Sequence, residues 1–388
     1  MPELPEVETI ARDLRAMVCG ARIVSVRSNW PPTLRSHAPD EFARKVAGRE
    51  VEGVGRRGKQ LLVWLGPKGP TADSIAPDST TDELAATEPV GAESVVLTVH
   101  LKMTGQLFVV PAGVPQDRHV HVVLAFDDGR ELRYRDMRKF GRMGLYARDP
   151  ATGLPVESQA AGVLATGAEP LADDFTARRL TEMLARRRGR LKTLLMNQDF
   201  LAGVGNIYAD EALWRARLHP LREAHTVRSD EARRLHGALR DVLAEAVERR
   251  GSSVDDYTAP EGDGSMQEYL AVYQRAGEPC LRCGRPIRRI VVGGRSTHFC
   301  GWCQRLPAGQ RESAAKLLAG ARAATSRLAD RPRRGPRWTE LDGAGALGRN
   351  RDEEARAAEL AARRVSRLAA ARKAAATRRA AARAGGSA

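Results

Sequence analysis

The chain opens Met1-Pro2-Glu3-Leu4-Pro5-Glu6-Val7-Glu8-Thr9, and the reading of this stretch decides what the remainder must support. Pro2 is small enough for removal of Met1, which leaves a secondary amine at the start of the chain. A terminal amine titrates well below lysine, so an appreciable fraction is neutral near physiological pH. Such an amine can attack an electrophilic carbon and form a Schiff base, as activated lysines do. Glu3, the next residue, can reach the same reacting centre as an acid. The alternative is that Pro2 and Pro5 merely stiffen a frayed terminus. Apolar Val7, Ile10, Leu14 and Met17 recur at helical spacing before Cys19-Gly20, which predicts a helix over Glu6–Met17. That helix would bury one face and hold the terminus in place, as a reactive amine requires.

Beyond it, Ala21–Ser28, Glu50–Gly55, Gln60–Leu65, Ser94–Leu101, Gln106–Pro111, His121–Asp127, Glu131–Arg135 and Met143–Ala147 read as strands. Turn residues such as Asp127-Asp128-Gly129 separate them. Short strands in succession predict a β-sandwich or barrel over residues 1–147. Residues 66–93 interrupt the pattern with six acids and one lysine, too polar to fold alone, and read as a disordered insertion. Residues 148–170 read as a linker, and 171–265 as a helical domain with breaks at Gly203–Asn206 and His219-Pro220. Gly251–Gly264 reads as a mobile loop. The fold class is therefore α+β and multidomain.

The chain has 388 residues, room for two or three domains. Its net charge of +15 points to a polyanion such as nucleic acid. The charge is uneven, because residues 306–388 hold 19 Lys/Arg against 8 Asp/Glu. This Ala/Arg-rich tail reads as low-complexity, without a core of its own. It could form a solvated helix or order only on a phosphate backbone. No long apolar run or signal-peptide core is present, so the expectation is a soluble, cytoplasmic protein.

Cys280, Cys283, Cys300 and Cys303 form C-x2-C-x16-C-x2-C within residues 266–305. The spacing fits one tetrahedral zinc ion on two turns brought together by a hairpin. Two disulfides are the alternative, disfavoured in a chain with no export signal. Cys19 reads as a small buried residue.

Four further stretches carry candidate chemistry. Leu201-Ala202-Gly203-Val204-Gly205-Asn206-Ile207-Tyr208-Ala209-Asp210-Glu211 lies between two helical stretches. Its glycines would let helix amides approach a phosphate, with Asn206 as the cap. Gly58-Lys59-Gln60, His100 to Gly105, and Asp136 to Gly141 each fall at strand ends, where loops carry function. Met103, Arg138 and Phe140 could fill the space left by a flipped base. Taken singly, Met103 and Phe140 read equally as core residues, and Lys59 and His100 as solvated ones.

In this order, these motifs resemble the formamidopyrimidine-DNA glycosylase family, with which endonuclease VIII is grouped. The opening Pro2 to Thr9, Lys59, His100 to Gly105, Asp136 to Gly141, Gly203 to Tyr208 and Val272-Tyr273-Gln274-Arg275 with Gly277-Glu278-Pro279-Cys280 carry the resemblance. It covers roughly residues 1–305 without the insertion. Leu4 stands where endonuclease VIII enzymes typically carry Gly.

The resemblance implies a bifunctional glycosylase and AP lyase of base excision repair, acting on 8-oxoguanine and formamidopyrimidines. The architecture it implies is an N-terminal β-sandwich, a helix–two-turn–helix domain and a C-terminal zinc finger, with double-stranded damaged DNA in the cleft. Pro2 would attack C1′, Glu3 would act as general acid, Lys59 would assist at the lesion, and Glu6 would be a supporting acid. His100, Asn206, Tyr273 and Arg295 would contact DNA phosphates, and the one Zn²⁺ would be structural. The protein would act as a monomer, associated with the nucleoid. Rival readings are an endonuclease VIII-like enzyme for oxidised pyrimidines and a non-catalytic binder of damaged DNA. Two departures from the family stand out. Met137 replaces a frequent Pro, and Thr258–Gln267, where the family holds the flipped purine, aligns poorly.

Overall fold

The computed structural model describes residues 1–68, 93–252 and 264–319. Most of the acidic insertion, the centre of the 251–264 loop, much of Thr258–Gln267 and the tail from residue 320 lie outside the described residues.

Helix α1 (Leu4–Val18) begins two residues earlier than its periodicity suggested, because Pro5 suits a first turn and Glu6 completes a capping box with Glu3. Strand β1 (Ile23–Ser28) follows, then α2 (Pro39–Val46). The periodicity reading passed over α2, although its signals are present. Pro39 opens it, Asp40 and Glu41 occupy the first turn, and Arg44 and Lys45 the last. All eight expected strands are present. β2 (Arg49–Arg57), β3 (Gln60–Lys68), β4 (Val95–His100) and β8 (Arg142–Ala147) form one antiparallel sheet in the order β2-β3-β4-β8. β5 (Gly105–Pro111), β6 (Val120–Phe126) and β7 (Arg130–Asp136) join β1 in the order β1-β6-β7-β5. The inward residues of both sheets, including Val54, Leu61, Leu97, Val122 and Leu132, share one core with Val7, Ile10 and Leu14 of α1. Alternating strands with one apolar face bury it against each other in this way.

Two expectations are corrected here. Gly66–Lys68, assigned to the insertion, continue β3, and Arg49 pairs with Lys68 across the ladder. Residues 148–170 are more than a linker. They include the short α3 (Glu157–Ala160), and Glu169 accepts a hydrogen bond from Arg56 at 2.7 Å and lies 3.3 Å from Arg57.

The helical half comprises α4 (Ala177–Ala185), α5 (Leu191–Leu195), α6 (Asn206–Arg215) and α7 (Ser229–Glu248). Leu180, Leu213, Leu235, Leu239 and Leu243 form its core, and Leu4 of α1 is buried in the same cluster. One helix therefore contributes to both cores. A hairpin of β9 (Arg288–Val292) and β10 (Arg295–Phe299) follows, then α8 (Arg311–Ala319). The tail was read as coreless from Leu306, yet Leu306 and Ala314 pack with Ile290, Val292 and Phe299. Gln310 also anchors the segment, accepting from Glu223 N at 3.0 Å. The helix former Ala and the apolar Leu317 and Leu318 give α8 a face that the compositional bias concealed.

The hairpin is tied to α6 through Asp210, itself half of a buried ion pair. Lys192 donates to Asp210 at 2.6 Å with both side chains fully buried, and the other Asp210 oxygen accepts from His298 N at 2.8 Å. Removing one member strands the other charge in a low-dielectric interior. D210A is expected to destabilise the protein by about 3–5 kcal/mol, read as a lower urea midpoint at unchanged slope.

Candidate active site and zinc centre

A cavity of about 430 Å³ opens between the sandwich and the helical half, lined by Pro2, Glu3, Glu6, Lys59, His100, Met103, Asn206, Tyr273 and Arg295 among others. Nine of the residues singled out in the sequence thus converge on one space. Arg138 and Phe140 are not among its lining residues. They sit on the loop after β7, with the guanidinium 5.1 Å from the ring centroid and Phe140 51% exposed.

The N-terminal turn is built into the helical half. Leu4 N donates to Gly203 O at 3.0 Å. The Glu3 carboxylate accepts from Ile207 N at 2.9 Å and Tyr208 N at 3.4 Å, the first free amides of α6. Glu3 therefore caps a helix some two hundred residues away. The glycines of the turn answer to this approach. A Cβ on Gly205 would come within 2.3 Å of Glu3 Cδ, and one on Gly203 within 2.6 Å of Leu4 Cβ, at a φ of +88° that already favours glycine. The expectation that these amides hold a phosphate is corrected, since a carboxylate of the chain itself occupies them. Asn206 is likewise not the cap. Gly205 takes that position, and Asn206 is the first residue of α6 with a buried Oδ1 that lacks a hydrogen-bond partner.

Glu6 is held from four sides. Its carboxylate accepts from Glu3 N (2.8 Å), Tyr208 Oη (2.6 Å), Ser252 N (2.8 Å) and Ser252 Oγ (3.2 Å). Tyr208, Ser252, Lys102 and Gln198 are site residues to which the sequence reading gave no role. Gln198 braces the glycine turn, accepting from Gly203 N at 2.9 Å and donating to Val204 O at 2.8 Å. None of these carries a local signal, because each acts through the folded neighbourhood.

Lys59 sits in the β2–β3 turn after Gly58, whose φ is +56°. Burial lowers its ammonium from the ordinary lysine range, and the nearby Glu3 and Glu6 charges oppose this. Burial also raises the Glu3 carboxyl above the usual carboxylate range, against the Lys59 charge and the Ile207 amide. The pair is thus an acid made easier to protonate beside a base made easier to deprotonate, as acid–base chemistry near neutrality requires. His100 accepts from Lys102 N at Nδ1 (3.1 Å), so its proton lies on Nε2.

The four cysteines are free thiols whose sulfurs all lie within 4.8 Å of one another, with Cys283–Cys300 at 3.5 Å and Cys280–Cys303 at 4.0 Å. Disulfide sulfurs sit at about 2.05 Å, whereas tetrahedral thiolates at about 2.3 Å from zinc stand roughly 3.8 Å apart. The residues fit one Zn²⁺ with no position left for water, hence a structural ion. Trp214 of α6 donates to Cys280 Sγ at 3.4 Å, a partner outside the ligand set that orients the sulfur.

Fold and site together define a DNA glycosylase of the helix–two-turn–helix, zinc-finger type. Residues 1–143 match the formamidopyrimidine-DNA glycosylase N-terminal domain, 166–258 its H2TH domain, and 277–306 the zinc finger found in FPG and IleRS. The formamidopyrimidine-DNA glycosylase of Herpetosiphon aurantiacus is 44% identical over 306 residues, 78% of this chain and 100% of that one. That of Bacillus subtilis is 40% identical over 307 residues, 78% of this chain and 99% of its own. A Lactococcus lactis FPG mutant, solved in complex with Fapy-dG containing DNA, superposes with a TM-score of 0.66 at 31% identity, covering 79% of this chain and 100% of that one. The L. lactis Fpg in complex with abasic-site DNA gives 0.65 at 31% identity, covering 78% and 100%. The chain belongs to the formamidopyrimidine-DNA glycosylase family. Among the described residues no helix is long and apolar enough to cross a membrane.

Burial, with the charges of Lys102, Lys59 and Arg142, pushes the His100 imidazole from 6.5 down to about 3. Below pH 6.5 the unfolded chain takes up a proton that the folded one refuses. The contribution to stability is therefore complete above 6.5 and is lost as pH falls towards 3. H100N is expected to remove about 3 kcal/mol of this acid destabilisation at pH 4. Melting curves of both proteins from pH 7 to pH 4 should diverge towards the acid end, the wild type falling faster.

Proposed function

We propose that this protein is a bifunctional DNA glycosylase and AP lyase that removes oxidised purines from duplex DNA, chiefly 8-oxoguanine and formamidopyrimidines. The observation that carries the proposal is the burial of Pro2, Glu3 and Lys59 around one cavity of about 430 Å³, within the size range of small-molecule sites. The Lactococcus lactis relative, bound to Fapy-dG and abasic-site DNA, supports the same ligand class. Leu4, rather than the Gly of endonuclease VIII enzymes, favours purines over pyrimidines.

Met1 is 42% exposed, which suits its removal by an aminopeptidase, and the Pro2 nitrogen then becomes the nucleophile. It attacks C1′ of the damaged nucleotide, and the base departs with the glycosidic electron pair. Glu3, whose carboxyl burial raises above the usual carboxylate range, passes a proton to the ring oxygen as the sugar opens. The resulting imine makes the 2′ proton acidic, and β- then δ-elimination releases the 3′ and 5′ phosphates in turn. Lys59 serves the phosphate and proton transfer. His100, with Nε2–H as donor, and Arg295 at the start of β10 hold the backbone, as Asn206 and Tyr273 do from the helical side. Residues 1–147 carry the chemistry, while 171–265 and the 266–305 finger grip the duplex.

Borohydride trapping on an 8-oxoguanine duplex tests the chemistry. Protein confirmed to lack Met1 should give a covalent adduct that P2G weakens and an acetylated terminus abolishes. E3Q should lose base excision by roughly a thousandfold, a loss of about 4 kcal/mol in transition-state stabilisation. An adduct seen only with a thymine glycol duplex would assign the enzyme to pyrimidines instead, and absence from both would leave a binder. Separately, removing residues 320–388 while keeping α8 should weaken duplex binding and flatten its dependence on salt, because the shortened protein neutralises fewer phosphates and releases fewer counterions. An unchanged salt slope would remove the tail from DNA binding.

A further inference from the structure

Two loops, residues 101–105, which reach the cavity wall through Lys102 and Met103, and residues 136–141, present Met103 (37% exposed) and Phe140 (51% exposed). Each apolar tip follows a lysine in the left-handed region, Lys102 at φ +56° and Lys139 at +58°. Non-glycine residues adopt that conformation at a cost, and it persists only where surrounding structure fixes it. One side chain does so for both loops. Asp136 has no solvent exposure. Its Oδ1 accepts from Thr104 Oγ1 (2.5 Å) and Arg138 N (3.2 Å), and its Oδ2 from Tyr134 Oη (3.0 Å) and Gly141 N (2.8 Å). Thr104 Oγ1 accepts in turn from Arg138 N at 3.1 Å. His121 Nε2 lies 2.8 Å from the Asp136 carbonyl.

Tyr134 closes the arrangement. A Cβ on Gly141 would lie 1.6 Å from Tyr134 Oη, and one on Gly105 would lie 2.9 Å from it. The phenol thus fills the space that the absent side chains of both loops leave open. Lys139 is steadied from outside by the Trp30 ring, 3.8 Å from its centroid.

We propose that Asp136, with Thr104 and Tyr134, is a positioning latch that fixes the Met103 and Phe140 loops as one rigid wedge, so that both tips enter the duplex together when the damaged nucleotide leaves it. This rests on the reading that Phe140 fills the space vacated in the duplex. The latch sets the geometry of base eversion and takes no part in the chemistry at C1′.

The Thr104→Ser and Thr104→Val pair tests it, with Asp136→Asn as a second break and Phe140→Ala as the control for the underlying reading. The probe is 2-aminopurine beside an 8-oxoguanine in a duplex, whose fluorescence rises on unstacking. Imine trapping on single-stranded abasic DNA, which needs no eversion, is measured alongside. T104S keeps the hydroxyl and should match wild type. T104V and D136N should lose the fluorescence step and slow excision by at least about tenfold, the size expected for a buried polar group left without its partner. Trapping on single-stranded abasic DNA should fall much less. Equal losses in both assays, or T104S failing as T104V does, would overturn the latch in favour of general destabilisation. Retention of both signals by T104V and D136N would overturn it as well. If F140A keeps the fluorescence step, the wedge reading itself is wrong and the latch falls with it.

Discussion

Everything at the active site is referred to one interaction, the Glu3 carboxylate on the amino end of α6. The first amides of any helix lack intrahelical partners and carry the positive end of its dipole. A carboxylate that satisfies them from another part of the chain fixes distance and direction at once. Glu3 is flanked by the residue that would react and by Leu4, which is buried in the helical core. The position of Pro2 is thereby set by the helical half as much as by the sandwich beneath it. Because α1 also contributes Val7, Ile10 and Leu14 to the sandwich core, a shift between the halves cannot occur without breaking that cap or unpacking α1.

The same helix turns outward to the other site elements. Asp210 holds β10 through His298 N, and its neighbour Glu211 accepts from the amides of Ala271 (2.8 Å), Val272 (2.9 Å) and Tyr273 (2.8 Å). Trp214, a turn further on, reaches Cys280. Along ten residues, α6 therefore positions the acid, Asn206 in the cavity wall, the strand that carries Arg295, the segment that carries Tyr273 and the zinc knuckle. Burial keeps Glu211 above the usual carboxylate range, the three amides opposing it.

Much of this was legible in the sequence where the signal is local. Alternation and turn residues located all eight strands of the sandwich, the cysteine spacing located the zinc cluster, and the site residues Pro2, Glu3 and Lys59 stood in short motifs. What was illegible depends on contacts between distant segments. Gly203 and Gly205 read as a phosphate cradle because the sequence cannot show that Glu3 fills it. Asn206 read as a cap because its side chain suits one, whereas Gly205 holds the cap position and Glu3, some two hundred residues upstream in the chain, supplies the acceptor. Tyr208 and Ser252 became site residues only through Glu6. In α8 the Ala-rich composition masked a real apolar face, because composition averages over the one stretch that finds a partner.

A common choice underlies these features. The internal staples are mostly carboxylates, namely Glu3, Glu6, Asp136, Asp210 and Glu211, and most of their donors are backbone amides and hydroxyls rather than cations. An ionised carboxylate offers about four acceptor sites and can gather several amides from different segments, which a lysine or arginine, as a donor only, cannot do. Using acids inside also leaves the cations of the cleft, among them Lys59, Lys102 and Arg295, free to face a polyanion. The exception supports the rule. Lys192, fully buried, is the one cation among these staples, and it spans from Asp210 to the carbonyl of Asn206 (2.8 Å) at the first turn of α6. Its charge is matched within α6, the helix that carries Asp210 and Glu211 and that Glu3 and Glu6 reach from the amino terminus.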